Sequence, residues 1–546
     1  MLRHPNLDNA IEIKARQEQK QGAGKQKVPP AKRADCRHGQ ISRLCFTRPY
    51  LSISALSLAI RKFALVFFGA LSLNVAGTWL IPLVDRDEPR FSEASREMRE
   101  RHDFVIPYLN DKYRFDKPPF IYWTQIASYH FLGENDFAAR LPSGIAGALT
   151  AVLLFAWGLR LGHERTGWWA AIIFTLCIQV FVHAKAAVAD MWLVFFVTAA
   201  HWAAFELISD SLGAAKASVD ERRRMLWRLV FYVALAFAFL AKGPLGWTPL
   251  LTVASTKIFL RGASLDRRFW FVPGILLMLA IVCTWGIPAL VRTNGEFFRV
   301  GIGRHVVERS FNVMEGHGAN SMNTYLASLP FYCVLVFISF FPWSIKLPAL
   351  VKRLWRGRDA IDNYLICGVA VVFIIMTLVK TKLPHYTLPA FPLLSLLLAR
   401  HLFELSSTRF VMRTAQTAAA CSLAAALFAF PLFSRTFPTM QLFKQSEHDL
   451  VPEMEMGAVD YFEPSVIWYF RSRVHGFFRG LNPDQVHKFM DHPGARFAIM
   501  PTEVARAAYT EIPRGWKTYT ARGFTLVKGR PTDLTMILKP RAEAFF

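Results

Sequence analysis

The feature that most constrains this chain is a series of long apolar segments, each close to the length of a membrane-spanning helix. A helix needs about 20 consecutive apolar residues to cross a bilayer. Of the 546 residues 53% are hydrophobic, and they form such runs instead of the spacing of a soluble core. The sequence therefore predicts an α-helical polytopic membrane protein with eleven transmembrane helices. They are expected at 62–83, 138–161, 166–185, 189–208, 227–243, 245–260, 270–291, 324–345, 362–379, 387–403 and 412–433.

Positive charge is concentrated in every second loop between these helices. The formal net charge of the chain is +24, and cytoplasmic loops of membrane proteins carry an excess of Lys and Arg. This bias predicts a cytoplasmic N-terminus and, with an odd number of helices, a C-terminus on the opposite side. Because membrane orientation accounts for the basic charge, no nucleic-acid partner is expected. The basic loops contain Arg160 and Arg165, then Arg222 to Arg224, Arg261 to Arg268, Lys346 to Arg358, and Arg400 to Arg413.

The segments outside the membrane differ in character. The first non-cytoplasmic loop predicts two interfacial helices, an amphipathic one at Asp87–Arg101 and an aromatic-rich one at Pro119–Leu132. Short apolar runs near the C-terminus predict β-strands with an intervening helix. Three domains are expected: a disordered basic cytoplasmic tail at 1–58, a transmembrane domain at 59–434, and a small non-cytoplasmic α/β domain at 435–546.

Charged side chains recur at the helix ends on the non-cytoplasmic side. Each alone is equally well explained as a helix cap, a snorkelling lysine or a solvated loop residue. Membrane segments avoid charge, however, so their joint presence at one surface indicates a function. The set comprises Asp85, Asp87, Glu88, Arg90, Lys117, Lys185, Asp190, Lys242, Arg304, His305, Glu308, Arg309, Lys380, Lys382, His385 and Tyr386.

This mixture of groups favours one type of reaction. Cations bind a phosphate headgroup and stabilise it as it leaves, and a carboxylate takes the proton from an attacking hydroxyl. Such parts transfer a group from a lipid phosphate to an acceptor. The chain contains no GxxxxGK[ST] motif and no CxxC pair, so neither a soluble nucleotide triphosphate donor nor a zinc site is indicated.

Two other classes of protein remain open at this point. A transporter or flippase for lipid-linked sugars also carries charges in its membrane segments. Transporters place such charges near the bilayer midplane on broken helices and show repeats, whereas these lie at helix ends and no repeat is visible. A structural or assembly protein would not need this array of acids and bases.

Six sequence blocks carry a resemblance to a known family. Together and in this order they resemble the bacterial lipid A aminoarabinose transferases and related membrane glycosyltransferases of the GT-C class, which includes the protein O-mannosyltransferases. The DEPR and KLPHY segments are the most specific. The blocks are DRDEPRFSEASREM at 85–98, FDKPPFIYW at 115–123, AVADMW at 187–192, FLAKGPLGW at 239–247, GRHVVERS at 303–310 with EGHG at 315–318, and KTKLPHYTLPAFP at 380–392.

The resemblance implies a reaction and its participants. The donor would be a sugar, an aminoarabinose-like pentose or a hexose, on a polyprenyl-phosphate carrier. The acceptor would be a lipid A-like glycolipid or a protein hydroxyl. The active site and the C-terminal domain would be periplasmic, in a protein of the bacterial inner membrane. No cofactor is expected: a divalent metal would fit the acids, but the nearer relatives are thought to work without one.

The resemblance also implies roles for individual residues. The catalytic acids would be Asp87 at the end of the first helix, its neighbour Glu88, and Asp190 at the start of the fourth. Lys117 would contact the phosphate. The remaining substrate-binding positions would be Arg90, His305, Lys382, His385 and Tyr386.

Overall fold

The structure, a computed structural model, describes residues 53–213, 220–260, 264–308, 322–527 and 529–541, without the side chains of 53–56 and 305–307. The chain divides after Leu56 into two units, and the fold described below is that of the second. Residues 1–52 of the disordered tail predicted at 1–58 lie outside the described residues. The first helix begins at Ile53, earlier than the predicted start at 62.

The first helix and the loop after it hold the elements nearest the candidate site. These are α1 Ile53–Val75, α2 Asp87–Glu100, β1 Tyr108–Leu109, β2 Lys112–Tyr113 and α3 Phe120–Leu132. Both predicted loop helices are present, but α2 does not expose a polar face to water. Ten of its residues are buried, including Glu93, Arg96 and Glu97, because α3 and the C-terminal domain both pack against it.

The membrane domain continues with helices joined by short connections. They are α4 Asp136–Arg160, α5 Glu164–Leu176, α6 Ile178–Ala184, α7 Asp190–Ile208, α8 Glu221–Lys242, α9 Thr248–Ser255, α10 Leu265–Phe269, α11 Phe271–Arg292, α12 Met322–Ser328, α13 Phe331–Ser339, α14 Leu347–Arg356, α15 Ala360–Leu378, α16 Phe391–Leu405, α17 Thr408–Ala424 and α18 Phe430–Ser434. Short 3₁₀ segments lie at Gly243–Trp247, Thr256–Ile258, Trp343–Lys346 and Pro384–Ala390, and π-helical ones at Phe298–Glu308 and Ala425–Ala429.

The number of membrane-crossing helices differs from the sequence prediction. Within the described ranges, nine helical stretches are long and apolar enough to cross a membrane, or ten if the bent pair α5–α6 is one span. Eleven were predicted. The difference lies at 227–243 and 245–260, which form one helical stretch, Glu221–Ile258.

This stretch contains a reversal of the chain. Gly243 ends α8 with a φ of +74°, a backbone conformation that glycine adopts readily. A Cβ on Gly246 would lie 2.5 Å from the carbonyl carbon of Ala238, so the chain after Gly243 folds back along α8. The guanidinium of Arg228, in the first half of α8, donates to the Arg268 carbonyl at 2.8 Å. The predicted break is therefore present, but its return limb is too short and irregular to count as a separate span, and eleven crossings stay a prediction.

The C-terminal residues form a small α/β domain, as predicted. It contains α19 Pro438–Ser446, β3 Glu455–Val459, α20 Pro464–Phe470, β4 Phe478–Leu481, α21 Val486–Asp491, β5 Arg496–Pro501, α22 Thr502–Ala508, β6 Lys517–Thr525 and β7 Arg530–Lys539. The sheet order is β4-β3-β5-β7-β6. Strands β4, β3 and β5 are parallel, whereas β7 runs antiparallel to β5 and to β6.

A buried ion-pair network joins this domain to α2. The Arg471 guanidinium contacts the Glu93 carboxylate and lies 2.8 Å from the Glu100 carboxylate. Arg96 donates to Glu93 at 2.8 Å and to the Trp468 carbonyl at 2.9 Å. Removing one partner of a buried pair leaves an uncompensated charge and costs about 3–5 kcal/mol. The network therefore fixes α2, and the residues at its start, relative to the C-terminal domain.

Candidate active site

The predicted site residues converge on one cavity of about 350 Å³. It lies where the starts of α2 and α7, the end of α8 and the loop before α3 meet. The turn after β6 closes it with Leu526 and Val527. The remaining lining residues are Asp85, Arg86, Asp87, Arg90, Phe91, Asp116, Lys117, His183, Ala186, Val188, Ala189, Asp190, Lys242, Leu383, His385 and Tyr386.

Asp87 presents an exposed carboxylate to this cavity. It is the first residue of α2, and the helix dipole favours a negative charge at that position. Its side chain makes no hydrogen bond or ion pair with any residue that the structure describes. The carboxylate is thus free to accept a proton or a hydrogen bond from a bound molecule.

Glu88, the other predicted acid of the pair, faces away from the cavity. Its side chain is buried, and both of its oxygens are occupied. One accepts from Arg140 Nε at 2.8 Å and from the Ala187 amide at 2.7 Å. The other accepts from Arg140 Nη2 at 2.6 Å and from the Val84 amide at 2.7 Å. In this geometry Glu88 ties the start of α2 to α4 and to the segment before α7, and the catalytic role predicted for it stays a prediction.

Asp190 is paired with Lys242, a residue to which the sequence prediction gave no role. Lys242 Nζ lies 2.5 Å from Asp190 Oδ1, and His385 Nε2 lies 3.8 Å from the same oxygen. The rings of His183 and His385 are 5.2 Å apart. The Lys242 ammonium also lies 5.9 Å from the ring centroid of Tyr386. Four chain segments therefore meet around one ion pair.

Lys117 provides a second cation, also paired with a carboxylate. Its Nζ lies 2.8 Å from Asp116 Oδ1, and Arg114 Nη2 lies 3.0 Å from Asp116 Oδ2. Burial lowers the pKa of the Lys117 ammonium and is the largest influence on it. The negative charge of Asp116 raises this pKa, and the positive charge of Lys242 lowers it further. Each of the two lysines is thus paired with its own carboxylate.

Two lysines of the predicted set lie outside the cavity, because each caps a helix. Lys382 Nζ donates to the carbonyls of Met376, at 3.1 Å, and of Thr377 at the end of α15. Lys185 Nζ donates to the carbonyls of Leu73 and Ala76 at the end of α1, at 2.6 and 2.7 Å. A lysine near a helix C-terminus satisfies carbonyls that have no partner within the helix. Lys382 therefore makes a structural contact, and the substrate-binding role predicted for it stays a prediction.

The other predicted residues either line the cavity or lie outside the described side chains. Arg90, His385 and Tyr386 line the cavity. The side chain of His305 lies outside the described residues. Asp116 and His183 are cavity residues that the prediction missed, although Asp116 stands beside Lys117 in the FDKPP block and His183 shortly before AVADMW. Nothing in the sequence predicted that Leu526 and Val527 line the cavity, because the other lining residues lie more than a hundred positions earlier in the chain.

The ionic groups of the cavity are balanced. Four carboxylates, those of Asp85, Asp87, Asp116 and Asp190, face four cations, those of Arg86, Arg90, Lys117 and Lys242. Burial, and secondarily Glu463, raises the pKa of Asp85 to about 7. No group of three or more metal-ligating side chains is found within the described ranges. The arrangement suits a phosphate between the cations and a hydroxyl near Asp87.

Comparisons with known proteins find similarity to membrane glycosyltransferases. The family model of dolichyl-phosphate-mannose-protein mannosyltransferases matches residues 59–295. The crystal structure of ArnT from Cupriavidus metallidurans bound to undecaprenyl phosphate superposes with a TM-score of 0.69 at 19% identity, over 89% of this chain and 98% of that one. The chain shares the fold of this ArnT and is similar in sequence to membrane glycosyltransferases. The resemblance and the fold class predicted from the sequence are thereby confirmed.

Two proteins match this chain in sequence with the same identity. An undecaprenyl phosphate-alpha-4-amino-4-deoxy-L-arabinose arabinosyl transferase of Erwinia tasmaniensis is 29% identical over 361 residues, 64% of this chain and 60% of that protein. An uncharacterized protein of Aquifex aeolicus is 29% identical over 328 residues, 60% of this chain and 70% of that protein. The match with the Erwinia transferase thus spans less than two thirds of its length.

Proposed function

We propose that this protein transfers a sugar from a polyprenyl-phosphate carrier to a hydroxyl of a lipid A-like glycolipid or of a protein, at the periplasmic face of the bacterial inner membrane. The observation that carries the proposal is the free carboxylate of Asp87 in a cavity that also holds Lys117, Lys242 and Arg90. The named activity and the carrier of the related transferases support it.

The proposed reaction is a single displacement at the anomeric carbon. The acceptor oxygen forms a bond to this carbon while the bond from the carbon to the phosphate oxygen breaks. The acceptor proton passes to the Asp87 carboxylate, and the polyprenyl phosphate leaves with the electron pair. Proton transfer to a positioned base contributes about 10²–10⁴ to the rate.

The cations of the cavity stabilise the departing phosphate. Lys117 and Arg90 donate charge-assisted hydrogen bonds to its oxygens. Asp190 holds Lys242 in place, so that this ammonium also faces the developing charge. His385 and Tyr386 bind the donor near the ion pair. No metal ion is needed in this scheme, since the ammonium and guanidinium groups supply the positive charge.

The orientation follows from the basic loops. If the N-terminus is cytoplasmic, the ends of α1, α6 and α8 and the C-terminal domain are periplasmic. A transporter for lipid-linked sugars is the second candidate. It is less well supported, because the cavity residues lie at helix ends near one membrane surface and not at the midplane.

Asp87→Asn tests the proposal. The variant keeps the size of the side chain but removes the base, and we expect at least a hundredfold loss of sugar transfer. Lipid A, other glycolipids and periplasmic proteins are compared by mass spectrometry in cells with wild-type protein, with the variant and without the gene.

Each outcome of this comparison is informative. A sugar-sized mass difference that disappears with Asp87→Asn supports the proposal and identifies the acceptor. Full activity of the purified variant would refute the role of Asp87. Accumulation of the lipid-linked sugar on one leaflet, with no loss of transfer in extracts, would favour the transporter.

A further inference from the structure

A second large space lies on the flank of the helix bundle, separate from the cavity. It is a groove of about 760 Å³ between the bent pair α5–α6, the segment before α14, and α17–α18. Its walls are mostly apolar, with Phe181, Val182, Phe341 and Phe430 among them. Helix α17 stands away from the bundle, and Val411 is its one buried residue. The groove therefore opens sideways, toward the lipid of the bilayer.

One end of the groove is strongly basic. Arg409 and Arg413 line it and are exposed, and their spacing of four puts them on one face of α17. Neither makes an ion pair or a hydrogen bond with any residue in the described part of the chain. Lys346 adds a third cation, with its ammonium 4.2 Å from the ring centroid of Phe410. No carboxylate is found among the described lining residues of the groove.

The basic end lies at the membrane surface opposite the cavity. Arg165 donates to the hydroxyl of Thr408, next to Arg409. Arg165 lies in the first turn of α5, which leads into α6 and His183 in the cavity. The helix from Arg413 to Ala425 rises about 18 Å at 1.5 Å per residue. A leaflet of hydrocarbon is about 15 Å deep, half of the bilayer core. The charge and the lining as far as Ala425 thus match one lipid molecule in that leaflet, and the apolar lining continues beyond it to Phe430.

We propose that the groove binds one anionic phospholipid of the leaflet opposite the cavity. Arg409 and Arg413 hold its phosphate through charge-assisted hydrogen bonds, which the planar guanidinium makes in pairs. An acyl chain lies along the apolar wall toward Phe430. A polyprenyl-phosphate donor does not fit this site while it reacts, since its phosphate must reach Lys117 and Lys242 at the other surface. The proposal is independent of the proposed transfer reaction.

Native mass spectrometry of the full-length protein in mild detergent tests this site. Phosphatidylglycerol and phosphatidylcholine with the same acyl chains are the two probes. We expect one molecule of phosphatidylglycerol to bind tightly, and phosphatidylcholine weakly. In the double variant Arg409→Gln/Arg413→Gln, the dissociation constant for phosphatidylglycerol should rise about 30-fold, since each arginine near an anionic surface contributes about 1 kcal/mol.

Two further variants make the result specific. Arg222→Gln/Arg223→Gln removes the same charge from exposed arginines at the start of α8, at the same membrane surface but away from the groove. This control should bind phosphatidylglycerol like the wild type. Thr417→Phe leaves the charges intact and fills the apolar part of the groove, so it should weaken binding of the same lipid.

Several results would overturn the inference. Unchanged binding in the Arg409/Arg413 variant would do so, as would an equal loss in the Arg222/Arg223 control, which would reflect net charge alone. Equal binding of the two lipids would remove the role of the headgroup. A lipid-free dimer that the Thr417→Phe variant disrupts would make a second copy of the chain the occupant of the groove.

Discussion

Glu88 and Asp87 are adjacent in sequence, yet the structure places them in different surroundings, and we expect a measurable difference between their variants. Glu88→Gln keeps the shape of the side chain and removes its charge. The Arg140 side chain, which is 3% exposed, then loses its counter-charge. Four N–H groups, two of Arg140 and the amides of Val84 and Ala187, donate to the oxygens of Glu88, and two of them would face the NH₂ group of the new glutamine.

The size of the effect follows from this environment. Breaking a buried ion pair costs about 3–5 kcal/mol. The Arg140 guanidinium retains the carbonyls of Thr78, Ile81 and Pro82, so the lower limit, about 3 kcal/mol, is expected. At about 2 °C for each kcal/mol, typical of larger domains, the melting temperature should fall by about 6 °C.

The assay is thermal unfolding of purified protein in detergent, followed by tryptophan fluorescence, together with sugar transfer at a temperature where both proteins are folded. Glu88→Gln should be less stable and retain transfer. Asp87→Asn is the matched control: it should melt close to the wild type and lack transfer, because its carboxylate makes no hydrogen bond or ion pair with a described residue. The reasoning fails if Glu88→Gln melts like the wild type but is inactive, since Glu88 would then act in the chemistry.

Three further predictions concern other parts of the cavity. The pKa of Asp85 is raised from 3.8 to about 7, so the folded state retains a proton that the unfolded state releases. The stability of the protein should therefore fall as the pH rises between these two values. Asp85→Asn should flatten the dependence of the melting temperature on pH. Lys117→Ala should raise the KM for the lipid-linked donor about tenfold or more, with a smaller change in kcat, since a hydrogen bond to a charged group contributes about 1.5–3 kcal/mol. Transfer should persist after dialysis against EDTA, measured with the same donor, and its loss with recovery on adding Mg²⁺ or Mn²⁺ would contradict the metal-free scheme.

The sequence predicted much of the fold, because hydropathy and loop charge are local properties. The apolar runs gave the helices, and the break at Gly243 was found. The count of eleven crossings stays a prediction, because the return limb after Gly243 is short and irregular. The burial of α2 was missed, since its polar side chains face partners such as Arg471 that lie far away in sequence.

The site was predicted at the level of segments, not of side chains. Successive residues of a helix point about 100° apart, so one acid of the pair Asp87–Glu88 faces the cavity and the other faces Arg140. Sequence spacing does not reveal which. The same limit applies to Lys382, whose position beside His385 suggested substrate binding although its ammonium caps α15.

The turn after β6 has a consequence for how the protein is made. Asp87 and Val527 border the same cavity, but a ribosome produces them at opposite ends of synthesis. The segments carrying Asp87, Asp190 and Lys242 reach their places in or beside the membrane while the wall formed by Leu526 and Val527 does not yet exist. The cavity is therefore closed only when the last strands of the sheet have paired, and a chain still being inserted does not hold a complete site for a lipid-linked substrate.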